Sequence, residues 1–278
     1  MRTPITYYGG KQRIAEEIIS MIPKHKIYCE PFFGGGAVFF QKSKAGIEVI
    51  NDHDNNLVNF YSCVQNRFGE LQEKIQQTLH SESMYYHAKD IWNGRAEASD
   101  IEKAWAVWLI TNGSFAGSMH GGWKWCNGTS GSHSGVFIKN KRMDFSEQLY
   151  KRLESVQISC RDALRVIKDR DTVGTFFYLD PPYPGCYQQH YSGYTHKDLF
   201  ELLQILSTIK GKFILSNYWC QTLGYHIKKF GWNHREIEVS LRMTNIGRGN
   251  HPDKGIQKRT EILVYNYSIE NDLFNNLK

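Results

Sequence analysis

The chain has 278 residues, a net charge of +6 and an aromatic content of 14%, with a mass of 32.3 kDa and a pI near 8.9. That length buries a full core with room for a sizeable insertion, the basic balance favours a polyanionic partner, and aromatics interleaved with basic residues suit the holding of splayed bases. The six cysteines are scattered without a Cys-x-x-Cys pair or a recurring ligand spacing, no apolar run reaches membrane-spanning length, and the start carries no apolar leader core; a cytoplasmic, reduced protein without metal, disulfide framework or membrane association is expected.

In residues 12–22, Ile14, Ile18, Ile19 and Ile22 fall on one helical face closed by Pro23, which predicts a first helix. Ile27-Tyr28-Cys29 reads as a short buried strand entering Glu30-Pro31-Phe32-Phe33-Gly34-Gly35-Gly36, followed by a helix and by a second strand, residues 48–52, that ends on Asp52. Strand, glycine loop, helix, strand and acid form the first half of a nucleotide-binding α/β unit. Glycines let the backbone approach a ligand closely, and Asp52 stands where a carboxylate can take both ribose hydroxyls of an adenosine. These residues alone leave a nicotinamide dinucleotide and S-adenosylmethionine both open.

From residue 56 to 150 the character changes to helical, polar and Trp-rich stretches. Ser99-Asp100-Ile101-Glu102 has the capping-box spacing and opens a helix containing Trp105, Trp108 and Leu109, and residues 112–135 are loop-like. The whole stretch reads as an insertion outside the sheet. The sheet resumes over residues 155–159, a helix follows over 162–168, and the strand Thr175-Phe176-Phe177-Tyr178-Leu179 runs into Asp180-Pro181-Pro182-Tyr183. Prolines cannot donate to a ladder, and the carboxyl end of a strand is where an open α/β sheet binds ligands. The prolines fix the direction of the Asp180 carboxylate and free the Pro181 carbonyl, so two acceptors converge on one amino group beside the flat face of Tyr183. Such a pocket suits the exocyclic amine of a planar base. A helix over 197–209, a strand over 212–216, and two strands over 235–240 and 261–267 joined by a polar basic excursion complete the chain.

The Asp180-Pro181-Pro182-Tyr183 tetrapeptide resembles the catalytic motif of amino-methylating DNA methyltransferases, and the whole chain looks like the D12 class, the Dam-like N6-adenine enzymes. The loop beginning Glu30-Pro31-Phe32 is similar to that family's Asp/Glu-Pro-Phe-x-Gly-x-Gly motif, and Tyr7-Tyr8-Gly9-Gly10-Lys11 is similar to its Trp-Ala-Gly-Gly-Lys motif, with Tyr7 for the Trp. The resemblance implies an α/β, Rossmann-like S-adenosylmethionine-dependent methyltransferase sheet, a catalytic core of residues 1–55 and 151–278, and an inserted target-recognition region of residues 56–150. It implies methyl transfer to N6 of a flipped-out adenine in double-stranded DNA, with N4-cytosine methylation and a non-catalytic DNA-binding homologue as alternatives. It implies S-adenosylmethionine held by Tyr7, Lys11, Glu30, Phe32, Gly34, Gly36, Asp52, Asp162 and Asp180. Glu30 would lie near the methionine ammonium, Lys11 at its carboxylate, and Asp162 near the adenine, a position that a plain helix N-cap would also occupy. Asp180, Pro181, Pro182 and Tyr183 would carry catalysis, with Tyr183 stacking on the extruded base. Lys124, Lys139, Arg142, Arg248 and Lys258 are the candidate DNA contacts, grouped in loops on both sides of the motif. A monomer is expected, with a separate restriction endonuclease as a further partner that the resemblance admits.

Overall fold

The computed structural model describes residues 1–7, 9–126, 134–184, 193–241 and 257–269. Among them, strands β1 (Ile27–Glu30), β2 (Ile47–Asn51), β3 (Gln157–Ser159), β4 (Thr175–Leu179), β5 (Lys212–Asn217), β6 (Asn233–Leu241) and β7 (Gln257–Tyr265) form one sheet in the order β3-β2-β1-β4-β5-β7-β6. β1 to β5 pair in parallel, and β7 enters antiparallel between β5 and β6. That insertion places the start of β7 beside the carboxyl end of β5, with Asn217 opposite Ile262. A residue just before Ile262 therefore arrives at the sheet edge where β4 also ends.

β4 is buried along its whole length, as a central parallel strand covered on both faces must be. Its side chains alternate between two cores. Phe176 and Tyr178 join a cluster with Ile14 and Ile18 of helix α1 (Ala15–Met21 with its preceding turn), Phe39 of α2 (Ala37–Gln41), Phe60 of α3 (Asn55–Asn66) and Trp108 of α6 (Asp100–Gly113). Phe177 and Leu179 join the other, with Val166 of α9 (Ala163–Arg170), Leu199, Leu202 and Leu203 of α10 (His196–Leu206) and Leu223 of α11 (Gln221–Phe230). The result is a sheet with helices on both faces.

Between β2 and β3 the described residues contain helices and a single short bridge, Ser114 to Trp123. Here α4 (Phe68–Gln76), α5 (Glu82–Trp92), α7 (Ser134–Asp144) and α8 (Glu147–Leu153) accompany α3 and α6. The Ser99 capping box is formed, with Ser99 N donating to Glu102 Oε2 at 2.9 Å and Glu102 N donating to Ser99 Oγ at 3.3 Å. α6 runs through Gly113 and α7 starts at Ser134, so the loop is shorter than the composition of residues 112–135 predicts. These helices share the core of the sheet: Trp108 is fully buried in the same cluster as Tyr28 and Phe176. A buried ionic knot adds to this union. Glu48 of β2, 2% exposed, takes Lys42 on one oxygen and the Arg152 guanidinium of α8 on both, while Arg152 Nη2 also donates to Phe39 O at 2.9 Å. Burial pushes the Glu48 carboxyl up, but the hydrogen bonds from Arg152 and Lys42 outweigh it and hold its pKa below the usual value.

α11 adds a helix beyond those predicted from the sequence; Leu223, Ile227 and Phe230 recur in it at helical spacing. Among the described residues no helix is long and apolar enough to cross a membrane.

Candidate active site

A cavity of about 1040 Å³ opens at the carboxyl edge of the sheet. One end is walled by Tyr7, Glu30, Phe32 and the glycines 34–36, the other by Lys11, Asp180, Pro181, Pro182, Tyr183, Tyr218 and Glu261.

The first end is shaped by the loop after β1. Gly34 and Gly36 sit at φ +48° and +64°, left-handed conformations that glycine adopts without strain. The loop is pinned from β2: Phe33 N donates to Asn51 O at 2.9 Å, Gly34 N to Asp52 Oδ2 at 2.7 Å, and Asp52 Oδ1 accepts from Asp54 N at 3.0 Å. Tyr7 packs on the loop so tightly that a Cβ added to Gly35 would lie 2.8 Å from the Tyr7 Cβ. Glu30 is 2% exposed and accepts a 2.8 Å hydrogen bond from Tyr28 Oη. It makes no ion pair among the described residues, and burial pushes its carboxyl up to about 8. A buried acid that faces the cavity with no ion-pair partner among the described residues fits a ligand that brings a positive charge.

At the second end, Lys11 Nζ lies 2.9 Å from Asp180 Oδ1 and 3.8 Å from Glu261 Oε1, donates to Gly9 O at 3.1 Å, and stands 5.0 Å from the centre of the Tyr183 ring. Burial works against this ammonium, but the Asp180 and Glu261 carboxylates outweigh it and raise its pKa. Tyr183 Oη lies 3.1 Å from Asp180 Oδ1, 2.9 Å from Ser216 Oγ and 2.7 Å from Glu261 Oε2. Its ring, 6% exposed, meets the Tyr218 ring edge-on at 4.6 Å. Burial pushes the Glu261 carboxyl up, partly offset by the Lys11 charge. The arrangement offers acceptors to an amino group at Asp180 while a cation balances their charge.

The structure thus brings Tyr7, Lys11, Glu30, Phe32, Gly34, Gly36 and Asp180-Pro181-Pro182-Tyr183 into one cavity. Lys11 is committed to Asp180, at the tetrapeptide end. Asp52 and Asp162 are not among the residues lining this cavity. Both Asp52 oxygens hold backbone amides of its own loops, and Asp162 caps α9 by accepting from Arg165 N at 3.0 Å. Of the candidate DNA contacts, Lys139 is exposed, and Lys124 lies over the Phe137 ring at 4.6 Å. Arg142 spends Nη1 on Gln76 O at 3.0 Å, tying α7 to α4. Arg248 lies outside the described residues, as does the Lys258 side chain.

Glu261, Ser216 and Tyr218 escaped the sequence reading. The signal for Glu261 was a lone acid opening the apolar run Ile262-Leu263-Val264, but its position facing Asp180 depends on β7 lying between β5 and β6.

A model of the family described as D12 class N6 adenine-specific DNA methyltransferase matches residues 7–241. Among curated proteins, the type II methyltransferase M1.LlaDCHI of Lactococcus lactis subsp. cremoris is 27% identical over 277 residues, covering 93% of each chain. The type II methyltransferase M.MjaIII of Methanocaldococcus jannaschii is 28% identical over 312 residues, covering 95% of this chain and 98% of that protein. The retron Ec67 DNA adenine methylase of Escherichia coli is 23% identical over 211 residues, covering 74% of this chain and 72% of its own. A match that takes in the glycine loop, the helices between β2 and β3 and the tetrapeptide together, with relatives aligned nearly end to end, is more than a shared short motif: the chain belongs to the D12 class of N6 adenine-specific DNA methyltransferases.

Proposed function

We propose that the cavity takes S-adenosylmethionine at its glycine-loop end and the amino group of an extruded adenine at its Asp180 end. The observation that carries this reading is the continuity of the two ends: a cation-seeking buried acid, Glu30, and an amine-accepting cluster, Asp180 with Tyr183, line one cavity at the carboxyl edge of the sheet. Tyr7, Phe32 and the loop of Gly34 and Gly36 would hold the cofactor, Glu30 would meet its ammonium, and Asp52 would act by fixing the loop. The cofactor supplies a methyl group already activated on a sulfonium. The protein's own work is to hold a nucleophilic nitrogen in line and to exclude water. The N6 lone pair of adenine is delocalised into its ring. Hydrogen bonds from the amine to the Asp180 carboxylate and the Pro181 carbonyl, strengthening as positive charge grows on nitrogen, favour the pyramidal form. A base within a duplex cannot reach this depth, so it must leave the stack.

Residues 56–150 would read the DNA around that base. Their loop borders the cavity: Gly117, at φ +68°, is packed so closely that a Cβ would lie 2.7 Å from the backbone oxygen of Thr6, a cavity-lining residue. Phe115 and Trp125, on the same loop, are 52% and 60% exposed, as side chains that meet bases would be. Double-stranded DNA is the partner on this reading, and a restriction endonuclease encoded separately is a further one, in keeping with the type II names of two relatives. The test is to incubate unmethylated duplex DNA with the protein and S-adenosylmethionine, digest it and quantify nucleosides by mass spectrometry. N6-methyladenine is expected; N4-methylcytosine, or no modified base with active cofactor binding, would overturn the reading.

A further inference from the structure

Asp180 accepts hydrogen bonds from the target amine on the reading above, yet the methylated amine carries one proton too many and must lose it. The oxygens around Tyr183 suggest where it goes. Tyr183 Oη contacts Asp180 Oδ1 at 3.1 Å, Ser216 Oγ at 2.9 Å and Glu261 Oε2 at 2.7 Å, and Ser216 Oγ contacts Glu261 Oε2 at 3.0 Å. These four oxygen–oxygen contacts have only two hydroxyl protons between them, one from Tyr183 and one from Ser216. With both carboxylates ionised, two contacts bring lone pairs together. One further proton turns a third into a hydrogen bond. The cluster can take up a further proton, and Tyr183, Ser216 and Glu261 within it are buried, which shields that proton from bulk solvent.

We infer that Glu261 is the terminal acceptor of the proton released by the methylated amine, reached through Asp180 and the Tyr183 hydroxyl. The N–H bond breaks and its electron pair stays on nitrogen. The proton goes to Asp180 Oδ1 and then to Tyr183 Oη, as the phenolic proton leaves for Glu261 Oε2. The phenol ends neutral, Glu261 ends as a carboxylic acid, and the neutral methylated base can depart. The charged and titratable groups facing Glu261 fit this role. Lys11 Nζ, from the segment before α1, balances the anionic start at 3.8 Å. Asp180 and Tyr183 come from the end of β4, Ser216 and Tyr218 from the end of β5 and beyond. Arg259, two residues before Glu261 on β7, donates to the Tyr218 hydroxyl at 3.4 Å. Tyr178, the other buried phenol near these acids, has a hydroxyl with no hydrogen-bond partner among the described residues. Glu261 acts through Tyr183 and is a positioning and relay residue rather than one that touches the base.

This inference rests on the amine lying at Asp180, and the test separates the two. Single-turnover methyl transfer on duplex DNA is followed against pH in wild type, Glu261→Gln, Glu261→Asp, Tyr183→Phe and the Glu261→Gln/Tyr183→Phe double variant. Glu261→Gln should lower the rate by about 100-fold, the lower end of what a placed proton acceptor contributes, and erase the acidic limb of the profile. Glu261→Asp should recover part of the rate. The double variant should be no slower than the worse single one, because both break the same path. Infrared difference spectra of the protein without DNA or cofactor give a readout independent of turnover. A carboxylic C=O band that disappears as pH rises should be present in wild type and missing in Glu261→Gln. Thermal melts establish that each variant is folded, and Tyr183→Phe tests the path if Glu261→Gln does not fold. A Glu261→Gln enzyme with the wild-type rate and pH profile would overturn the relay, as would a Glu261 band that persists through alkaline pH. If Asp180→Ala also kept full activity, the placement of the amine would fail too; if Asp180→Ala is inactive while Glu261→Gln is untouched, the relay alone fails.

Discussion

Glu30 should report cofactor binding by giving up a proton. Burial lifts its carboxyl from an ordinary 4.5 to about 8, against the hydrogen bond from Tyr28. At pH 7, one unit below that value, roughly nine molecules in ten carry a neutral Glu30. A methionine ammonium beside it favours the carboxylate, so binding of S-adenosylmethionine should release close to one proton at pH 7, roughly half at pH 8 and little above pH 9. Calorimetric titrations in buffers of different ionisation enthalpy read this number from the slope of the observed heat. The same group makes the empty protein pH-sensitive. Between the two pKa values the folded chain holds a proton that the unfolded chain has lost, so the contribution of Glu30 is full below about pH 4.5 and falls away as pH rises through about 8. Three and a half units at about 1.36 kcal/mol each set an upper bound of about 5 kcal/mol. Glu30→Gln removes the dependence: it should gain several kcal/mol on wild type in urea unfolding as pH goes from 5 to 8, while its cofactor affinity falls. Buffer-independent heats together with wild-type affinity in Glu30→Gln would refute the placement of the ammonium.

Glu48→Ala leaves Arg152 and Lys42 buried without their carboxylate and should cost about 3–5 kcal/mol in urea unfolding at neutral pH. Because the Glu48 pKa is depressed, that penalty should shrink in acid, as the wild-type contribution is lost on going down through the folded value. Asp52→Asn can keep only one of the two backbone amides of Gly34 and Asp54, so unfolding stability and cofactor binding free energy should fall together, each by about 1–3 kcal/mol; an affinity loss with unchanged stability would make Asp52 a direct ligand contact instead. DNA affinity should fall steeply with salt, and Lys139→Ala should reduce the slope of log affinity against log salt by up to about 1 if that exposed lysine meets a phosphate. Arg142→Ala should instead lower stability, since its guanidinium already serves the carbonyl of Gln76.

The parts of the site read from sequence were those set by neighbours in the chain. Asp180-Pro181-Pro182-Tyr183 directly follows a run of five buried residues, and Gly34 to Gly36 follow a short apolar strand, so both could be placed at strand ends without knowing the sheet order. What could not be read came from long-range pairing. Glu261 reaches Tyr183 across 78 positions of sequence because β7 runs antiparallel beside β5, and Ser216 reaches it across 33 because β5 pairs in parallel with β4. The place of Asp52 at the end of β2 is legible in the sequence; the hold of its oxygens on the amides of Gly34 and Asp54 is a local demand of the turn that a strand-level pattern does not include. The motif places Lys11 at the site, and its ion pair with the Asp180 carboxylate is a pairing across the fold that the motif does not show. The hydroxyl of Tyr183 was equally invisible, since a reading of the motif by itself makes the ring a flat face and gives the oxygen no partners.

Asp180 as the acceptor of the target amine is tested most directly by single-turnover methyl transfer by Asp180→Ala on duplex DNA. Glu261 still pairs with Lys11 in that variant, so the protein should fold and bind cofactor and DNA. The rate of N6-methyladenine formation, read by nucleoside mass spectrometry, should drop by at least about 10²- to 10³-fold, the loss expected for one preorganised electrostatic partner. Wild-type single-turnover activity in folded Asp180→Ala would contradict the account.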